Sequence, residues 1–372
     1  MTSFIDHINK VPHIEEKIFD SIKVSSAPVM LFGAGEIAHY LLVYFRQHGI
    51  EPACLCDNNP ARQGTMHLGL PVYSYNSFKE KFGASGGKYN IVISTGPQYK
   101  DAIHSQLMTA QEKNPIWYLR GYEVCGEKIN YQYVCEHKAQ FEEAYSSLAD
   151  DFSKKVFQNV LNAKISGDFN FYKEVLSKNQ HFDKDIVKLS DKEVFLDVGA
   201  FKGSDIVEFV KCTGGNYEGI IAFEPDKKTS TILQSLIVKD GIQKIEVHNK
   251  GAWKEHAFLH FDEGREGSSR ITKDAVAVAT PAVSIEVDTI DNVLNGRRIT
   301  YISMDIEGAE HDAFLGGKNS IKKWRPKIAV SAYHKREDLF DLLLLLKSFV
   351  PDYKFYLRHY TENQTETVLH AI

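Results

Sequence analysis

Short apolar runs alternate along the first part of the chain with stretches of helical periodicity. Residues 4–23 have the pattern of one amphipathic helix, and Val29–Phe32 forms an apolar run typical of a buried strand. A glycine turn follows, and residues 36–47 again space their apolar side chains as a helix does. Strands that alternate with helices predict a parallel sheet with crossover helices. We therefore expect a first Rossmann-like α/β domain over residues 1–120.

The pattern changes over residues 121–190, which are helical in period and rich in charge. We interpret this segment as a helical connector that spaces two domains or covers part of a substrate cleft. From residue 191 the alternation of strands and helices returns. Near the C-terminus, the apolar runs 354–360 and 366–371 flank a polar turn and predict a closing β-hairpin. The predicted fold is α/β, with a second Rossmann-like domain over residues 191–372.

Composition and charge place the chain among soluble globular proteins. Hydrophobic residues make up 43% of the sequence and charged residues 25%, and a net charge of -5 gives no electrostatic case for nucleic-acid binding. The apolar run 342–346 is too short to span a bilayer, and residues 1–17 lack the long apolar core of a secretory signal. Five scattered cysteines are typical of reduced thiols. We therefore expect a cytoplasmic protein without a transmembrane segment. Its oligomeric state is left open, and a homo-oligomer is one of the alternatives.

The first glycine turn, GAGE, contains Gly33, Gly35 and Glu36 and joins a predicted strand to a predicted helix. Its glycines permit a tight turn and a close approach of backbone to a phosphate at the helix N-terminus. Asp57 follows about 20 residues later, at the spacing of an acid that binds ribose hydroxyls. These residues leave three alternatives open. They form a turn without a ligand, a site for a nucleotide or nucleotide sugar, or a site for NAD(H). The turn and the stretch DNNPARQGTMHLGLPV over residues 57–72 resemble the nucleotide-sugar-binding N-terminal domains of sugar-modifying enzymes.

A second glycine turn, DVGAFKG, follows another apolar strand and opens a helix. It contains Asp197, Gly199, Ala200 and Gly203, and the acid before the first glycine suits a ligand with a cationic amino-acid end. Glu224 ends the next predicted strand, and its two carboxylate oxygens match two ribose hydroxyls as acceptors. Acids in these two places specify S-adenosylmethionine better than NAD. We therefore predict an S-adenosylmethionine site at this turn.

The C-terminal half of the chain resembles the FkbM-type methyltransferase family, and the connector resembles bacterial members of the same family. The resemblance implies a class I methyltransferase fold and an S-adenosylmethionine-dependent methylation of a hydroxyl. Sugars of surface glycans are a frequent substrate class of the family. The matching segments are residues 194–203, 220–226, 247–253, 287–291, 304–317, 325–339 and 356–369.

The resemblance also implies roles for individual residues. Many members carry a lysine two positions before the first acid of the D-x-E-G-x-E motif, where this chain has Ser303. The role of that lysine is therefore absent here or supplied by another residue. The implied cofactor residues are Asp197, Gly199, Gly203 and Glu224, with Asn249 and Ala252 at the adenine.

Three carboxylates crowd the end of a predicted buried strand in YISMDIEGAE: Asp305, Glu307 and Glu310. Ligands of open α/β sheets bind beyond the carboxyl ends of the strands, so we expect Asp305 beside the transferred methyl group. Three interpretations compete. Asp305 is a general base or acceptor clamp, or Asp305, Glu307 and His334 hold a divalent metal, or the acids form a structural network in which Glu310 caps its helix. His334 follows another buried strand and is a second candidate for the base.

The sequence indicates the residues that bind the acceptor less clearly than those that bind the cofactor. Tyr333 is a candidate for the acceptor pocket, and the polar, glycine-rich loop 262–274 has the composition of a lid. We expect a methyltransferase that acts on a sugar hydroxyl of a nucleotide sugar or surface-glycan intermediate, in polysaccharide biosynthesis. Its partner is then a small-molecule or glycan substrate, nucleotide-linked sugars included. The alternatives are an NAD-dependent sugar oxidoreductase or epimerase acting through the N-terminal domain, and a non-catalytic nucleotide-binding protein.

Overall fold

The chain divides by its internal contacts into two compact units. The N-terminal unit consists of residues 11–130 and 165–167, and the C-terminal unit of residues 1–10, 131–164 and 168–372. Within the described residues, no helix combines the length and the apolarity that a bilayer crossing needs. The structure is a computed structural model that describes residues 4–83, 87–119, 129–261, 271–272 and 283–372.

The N-terminal unit is a sheet with helices packed on both faces. Leu31 and Leu55 belong to an apolar cluster with α1 and α2, whereas Met30 and Cys54 belong to a second cluster with α3 and α4. All strand pairs are parallel except β3 with β4, and the order is β3-β4-β2-β1-β5-β6. The elements are β1 Val29–Phe32, β2 Cys54–Cys56, β3 Met66–His67, β4 Leu70–Tyr73, β5 Asn90–Ile93, β6 Ile116–Tyr118, α1 Ile14–Ser25, α2 Glu36–Gln47, α3 Tyr75–Phe78 and α4 Pro97–Thr109.

The first helix differs from its prediction. A single helix over residues 4–23 is wrong, because residues 4–7 form a short 3₁₀ turn and α1 begins only at Ile14. Pro12 restricts the residue before it to extended backbone and supplies no N–H, so it separates the two pieces. The ring of His13 then accepts a hydrogen bond from the Glu15 N–H at 3.2 Å and caps the new helix.

The C-terminal unit is built on a mixed sheet whose strand order reverses between β7 and β14. In the part of the chain that the structure describes, the main sheet runs β16-β17-β15-β14-β7-β8-β9 and a smaller sheet runs β10-β13-β11-β12. The strands are β7 Val194–Val198, β8 Gly219–Phe223, β9 Ile245–His248, β10 Gly251–Ala252, β11 Ala257–Phe261, β12 Ile271–Thr272, β13 Val283–Asp288, β14 Tyr301–Met304, β15 Lys327–Ser331, β16 Phe355–His359 and β17 Thr367–Ala371. Pairing of β16 with β17 is antiparallel, which confirms the predicted closing hairpin.

The helices of this unit have identifiable starts and stops. Asp226 accepts a hydrogen bond from the Thr229 N–H and caps α10, which ends at Gly241 in the left-handed region. The helices are α5 Tyr131–Glu136, α6 Lys138–Ser147, α7 Asp151–Ser166, α8 Asn170–Lys173, α9 Ser204–Cys212, α10 Lys227–Asp240, α11 Ile290–Leu294, α12 Glu310–Gly316, α13 Lys318–Trp324 and α14 Asp338–Phe349. A 3₁₀ turn over Gln180–Phe182 precedes β7.

An aromatic layer fixes the position of β7 and β14 in this sheet. Phe195 of β7 stacks on Phe209 of α9 with ring centroids 4.5 Å apart, and Tyr301 of β14 stacks on Phe195 at 5.4 Å. In the parallel register, Ser303 pairs with Asp197, so both side chains emerge on the same face of the sheet, two residues beyond this layer. The switch in strand order at this place opens the crevice in which such sheets bind ligands.

Part of the segment predicted as a connector bonds to the edge of the main sheet. Ala149 donates its N–H to the carbonyl of Phe355 at 2.8 Å, and Ser177 donates to the carbonyl of His359 at 2.7 Å. The Ser153 hydroxyl accepts from the Leu357 N–H at 3.0 Å. These bonds satisfy backbone groups of the edge strand β16, which would otherwise offer a template for pairing with another chain.

An ion pair strengthens this attachment, and it can be tested. Asp150 bonds the buried Arg358 guanidinium at 2.8 Å and also accepts from the Ser153 N–H at 2.6 Å. Asp150→Asn keeps the cap and loses the charge, so we expect a cost of about 1–2 kcal/mol; Asp150→Ala loses both and should cost about 2–3 kcal/mol. Urea unfolding of the full chain measures both values. The exposed Arg325–Asp352 pair is the control, and equal effects of Asp352→Asn and Asp150→Asn would contradict the assignment.

Candidate active site

The second glycine turn lies directly against the acidic strand end. Gly199 has a φ of +92°, and a Cβ built on it would lie 2.0 Å from the carbonyl oxygen of Asp305. Gly203 has a φ of +91°, and its Cβ would lie 2.6 Å from Leu236 of α10. The glycine at 199 is therefore required by the packing of one loop on another, and the glycine at 203 by the packing of α10 on the turn.

Asp197 is a buried carboxylate with an unused oxygen. The residue is 2% exposed, and its Oδ2 has no hydrogen-bond donor among the described residues. Burial, reinforced by the neighbouring charge of Asp205, raises the pKa of Asp197 well above its usual range. A buried acceptor without a donor is costly unless a ligand supplies one. A cationic group placed here would satisfy the oxygen and stabilise the ionised carboxylate.

Glu224 is oriented by backbone donors on both of its oxygens. Oε2 accepts from the Phe201 N–H at 2.9 Å and Oε1 from the Asp226 N–H at 2.8 Å. Burial raises the pKa of Glu224 to about 7. Each carboxylate oxygen has a second lone pair, so both can still accept from vicinal hydroxyls of a ribose. Asn249 donates from Nδ2 to the carbonyl of Glu224 at 2.8 Å and holds the loop that carries the acid.

A cavity of about 210 Å³ lies beside this loop. It has the size of a small flat group, and Phe258 is an exposed aromatic ring in its wall. Ala252 is buried in β10 and is not among the residues that line the cavity. The lining residues are Pro225, Asp226, Lys227, Asn249, Phe258, Ser284, Ile285 and Glu286.

The acidic loop after β14 is folded around Glu310. The Oε1 of this buried side chain accepts from the Ile306 N–H at 3.0 Å and from the Gly308 N–H at 3.3 Å. Glu307, between them, has a φ of +56°, which is uncommon for a residue with a side chain. Glu310 thus shapes the turn in which Glu307 is held.

His334 lies between the three acids. Its Nδ1 is 3.0 Å from Glu310 Oε1, and its Nε2 is 3.4 Å from Asp305 Oδ1 and 3.6 Å from Glu307 Oε2. None of these contacts has hydrogen-bond geometry, and they are ion pairs when the ring is protonated. Burial acts to lower the pKa of His334, but Glu310, followed by Asp305 and Glu307, raises it to about 9. The three acids therefore favour the cationic form of the ring.

Asp305 faces the cleft. Its side chain is 29% exposed, and Oδ2 accepts from the hydroxyl of Tyr333 at 3.3 Å. Candidate ligand atoms of Asp305, Glu307 and His334 lie within 4.8 Å of one another, as a metal site would require. The sequence-predicted acids and histidine therefore converge, as expected from strands that end at one edge of a sheet.

Several residues of this region do not belong to any of the motifs described for the sequence. His181 comes from the 3₁₀ turn, and its ring contacts Asp205 of α9 and Ser303 of β14. Glu366, in the turn of the closing hairpin, accepts from Gln180. Burial, and then the nearby Asp305, raises the pKa of Glu366. A buried histidine 16 residues before a glycine-turn aspartate is the clue that the sequence offered.

In the N-terminal unit, Asp57 is bonded to backbone and side-chain groups near the first glycine turn. Asp57 Oδ2 accepts from the Ala34 N–H at 2.8 Å and pairs with Arg62 at 3.1 Å, while Oδ1 accepts from the Asn59 N–H at 2.8 Å. The carboxylate therefore closes the turn that contains Gly33 and Gly35. The nucleotide site predicted at Gly33, Gly35, Glu36 and Asp57 stays a prediction. The predicted lid over residues 262–274 lies, apart from 271–272, outside the described residues.

Comparisons with known proteins agree with this geometry in the C-terminal unit. A family model described as the Methyltransferase FkbM domain matches residues 197–357, which supports a methyltransferase of this type. The crystal structure of Methyltransferase FkbM from Methylobacillus flagellatus KT is similar in fold, with a TM-score of 0.76 and 23% identity, over 99% of this chain and 95% of that chain. No curated protein matches the chain.

Two more solved structures match the chain only weakly. An rRNA methylase from Streptococcus thermophilus has a TM-score of 0.31 and 14% identity over 55% of this chain and 91% of its own. Aeropyrum pernix fibrillarin with natively bound S-adenosyl-L-methionine has a TM-score of 0.33 and 8% identity over 52% of this chain and 73% of its own. Likeness at this level carries no argument for function.

The contact of Gly199 with Asp305 gives a prediction about stability. Gly199 has a left-handed backbone, and the methyl group added by Gly199→Ala would overlap the carbonyl oxygen of Asp305. The two loops must therefore separate. Gly241→Ala is the matched control, because Gly241 has a φ of +65° and nothing within 4 Å of its Cβ position. We expect about 1 kcal/mol for the control and at least about 2 kcal/mol more for Gly199→Ala, measured by urea unfolding. Equal costs would show that the loops adjust freely.

Proposed function

We propose that the C-terminal unit is an S-adenosylmethionine-dependent O-methyltransferase that acts on a sugar hydroxyl of a nucleotide sugar or surface-glycan intermediate. The observation that carries the proposal is the pair of buried acids at neighbouring strand ends. Asp197 has an oxygen without a donor, and Glu224 presents two oriented oxygens beside a cavity. The family match over residues 197–357 includes both acids.

The residues present fit the methyl donor. Asp197 suits the ammonium of its amino-acid end, and Glu224 suits the two hydroxyls of its ribose. When bound, S-adenosylmethionine supplies a methyl group already activated by its sulfonium. The protein then has to orient an acceptor oxygen and manage one proton.

Asp305 is the residue that we assign to that proton. It lies at the carboxyl end of β14, next to the glycine turn, and its side chain is open to the cleft. Oδ1 accepts the proton that the acceptor hydroxyl loses. Tyr333 bonds Oδ2 and the His334 cation stands beside Oδ1, so the carboxylate is held in place. We assign His334, whose pKa the three acids raise, to holding these acids in place and not to the proton transfer.

A divalent metal is the second candidate for this corner of the site. The close approach of Asp305, Glu307 and His334 favours it. Such an ion would orient the acceptor and lower the pKa of its hydroxyl. An imidazolium cannot ligate a metal, so this reading requires His334 to lose a proton that the surrounding carboxylates stabilise.

Calorimetry on the full chain tests the proposal against its rivals. We expect binding of S-adenosylhomocysteine and none of NADH, followed by methyl transfer to at least one neutral sugar or nucleotide sugar in a donor-product assay. Binding of NADH without S-adenosylhomocysteine would favour a sugar oxidoreductase or epimerase. Binding of the donor product without turnover on any acceptor would favour a non-catalytic nucleotide-binding protein.

If Asp305 is the base, its substitution should lower kcat without changing the affinity for S-adenosylhomocysteine. Asp305→Asn keeps the shape and the Tyr333 contact but removes the base, so kcat should fall by about 10²–10⁴-fold. The affinity for S-adenosylhomocysteine should stay within about twofold. Asp312→Asn, a carboxylate of α12 that pairs with Lys254, is the control and should retain activity. An unchanged kcat in Asp305→Asn would rule out this assignment.

The metal question has its own prediction. Because the proposed step assigns the acceptor proton to Asp305 and uses no metal, we expect methyl transfer to survive dialysis against EDTA and to gain nothing from added Mg²⁺ or Mn²⁺. The measurement is initial rate at saturating donor, before and after chelation. If activity disappears with EDTA and returns with either ion, Asp305, Glu307 and His334 are instead ligands of a divalent metal.

A further inference from the structure

An aromatic side chain of the smaller sheet forms part of the wall of the cavity beside Glu224. Phe258 of β11 lines this cavity of about 210 Å³ together with Pro225 and Asn249. Phe258 is 68% exposed, so most of a large apolar side chain is open to solvent. A flat ligand that covered the ring would remove this apolar surface from water and stabilise the complex. The cavity therefore offers a surface for stacking as well as space.

The smaller sheet is fixed against the loop that carries Glu224. Gly251 of β10 lies between them, because a Cβ built on it would be 3.9 Å from Pro225 Cβ and 3.1 Å from Val287 Cγ1. Gly251 also pairs with Val287 of β13, and β13 pairs with β11, which contains Phe258. These contacts and pairings hold Phe258 in a defined place relative to the Glu224 loop.

The neighbours of Phe258 on the sheet are themselves held by ion pairs. Glu286 lies directly across from Phe258 in the antiparallel register, and its Oε1 is 2.7 Å from Lys250 Nζ and 3.2 Å from His256 Nε2. The His256 ring meets the Phe258 ring edge-on, with centroids 6.0 Å apart. Cross-strand neighbours of this kind restrict where a side chain can lie on a sheet. The Phe258 ring is thus supported from the sheet beside the cavity.

Asn249 adds a polar group of known orientation to the same cavity. Its Nδ2 donates to the carbonyl of Glu224 at 2.8 Å and to the carbonyl of Pro225 at 3.2 Å, so the other terminal atom is the acceptor Oδ1. No group in the described part of the chain donates to Oδ1. A base with an exocyclic amine, such as adenine, would give this oxygen a donor.

The cavity lies where the base of the donor is expected. In the proposed function, Glu224 accepts from the ribose hydroxyls, and Pro225 and Asp226, next along the chain, line the cavity. The base leaves the ribose at the carbon next to these hydroxyls, so it must lie beside the same loop. The family resemblance implies Asn249 and Ala252 at the adenine, but Ala252 is 2% exposed and does not line the cavity. Another residue has to supply the apolar contact.

We propose that Phe258 is a binding residue of the methyl-donor site and that its ring stacks on the adenine of the donor. This inference rests on the proposed function, since it assigns one end of the same donor. It makes the smaller sheet a wall of the donor site, although the glycine turn and the acids of that site all belong to the main sheet and its loops.

Calorimetry of S-adenosylhomocysteine on the full chain tests the ring with two variants. Phe258→Leu keeps the apolar bulk and removes the aromatic face, so we expect the affinity to fall by about tenfold. Phe258→Tyr keeps the aromatic face and should bind within about twofold of the unmodified chain. The matched control is Phe152→Leu, since Phe152 of α7 is 39% exposed and does not line the cavity. It should leave the affinity unchanged.

The outcomes distinguish the two levels of the argument. If the unmodified chain does not bind S-adenosylhomocysteine, the proposed function fails. If it binds, and Phe258→Leu keeps the affinity within about twofold, the assignment of Phe258 is overturned. Equal losses of affinity in Phe258→Leu and Phe258→Tyr would overturn it as well, because the second variant retains the ring.

The unmodified chain provides a second test that does not depend on how Phe258→Leu folds. In proton NMR, the ring signals of Phe258 are identified by their absence in Phe258→Tyr. They should move upfield when S-adenosylhomocysteine binds, because a stacked base shields protons above its face. Ring signals that stay in place at saturating ligand contradict the inference.

Discussion

The contact between Gly199 and the Asp305 carbonyl is the constraint on which the C-terminal site depends. The two residues belong to loops more than a hundred positions apart, yet no side chain fits between them. Parallel pairing of β7 with β14 brings both loops to one edge of the sheet, and the glycine allows them to touch. The glycine turn that we propose for the donor and the acid that we propose for the acceptor are thereby held at a fixed separation. That is what positioning in a transfer reaction requires.

The second constraint is the balance of charge around that contact. Buried carboxylates are unfavourable unless cations or donors compensate them. His334 compensates Glu310, Asp305 and Glu307 on one side, and His181 compensates Asp205 and Asp197 on the other. The Oδ2 of Asp197 is left without a donor, so the site is incomplete as a purely internal network. A ligand with its own positive charge would satisfy this oxygen.

The sequence predicted some of these features and missed others for physical reasons. The strands Val194–Val198 and Gly219–Phe223 were readable because buried parallel strands are nearly continuous apolar runs. The helix over residues 4–23 was misread because apolar periodicity continues across Pro12, whereas the backbone does not. Asp57 has the spacing of a ribose-binding acid, and spacing alone could not show that its two oxygens accept from the Ala34 and Asn59 N–H groups.

The alternation of strands and helices, the closing hairpin and the acids at the strand ends follow from local pattern, and the sequence by itself determined them. Local pattern also placed Asp197, Glu224 and Asp305 at carboxyl ends of strands, where ligands bind. Tertiary structure alone decided that Gly199 packs on Asp305, that residues around 149 and 177 cover an edge strand, and that His181 joins Ser303. Each of these depends on atoms brought together across long stretches of chain. No periodicity or spacing encodes such contacts, because they arise only when the sheet has formed.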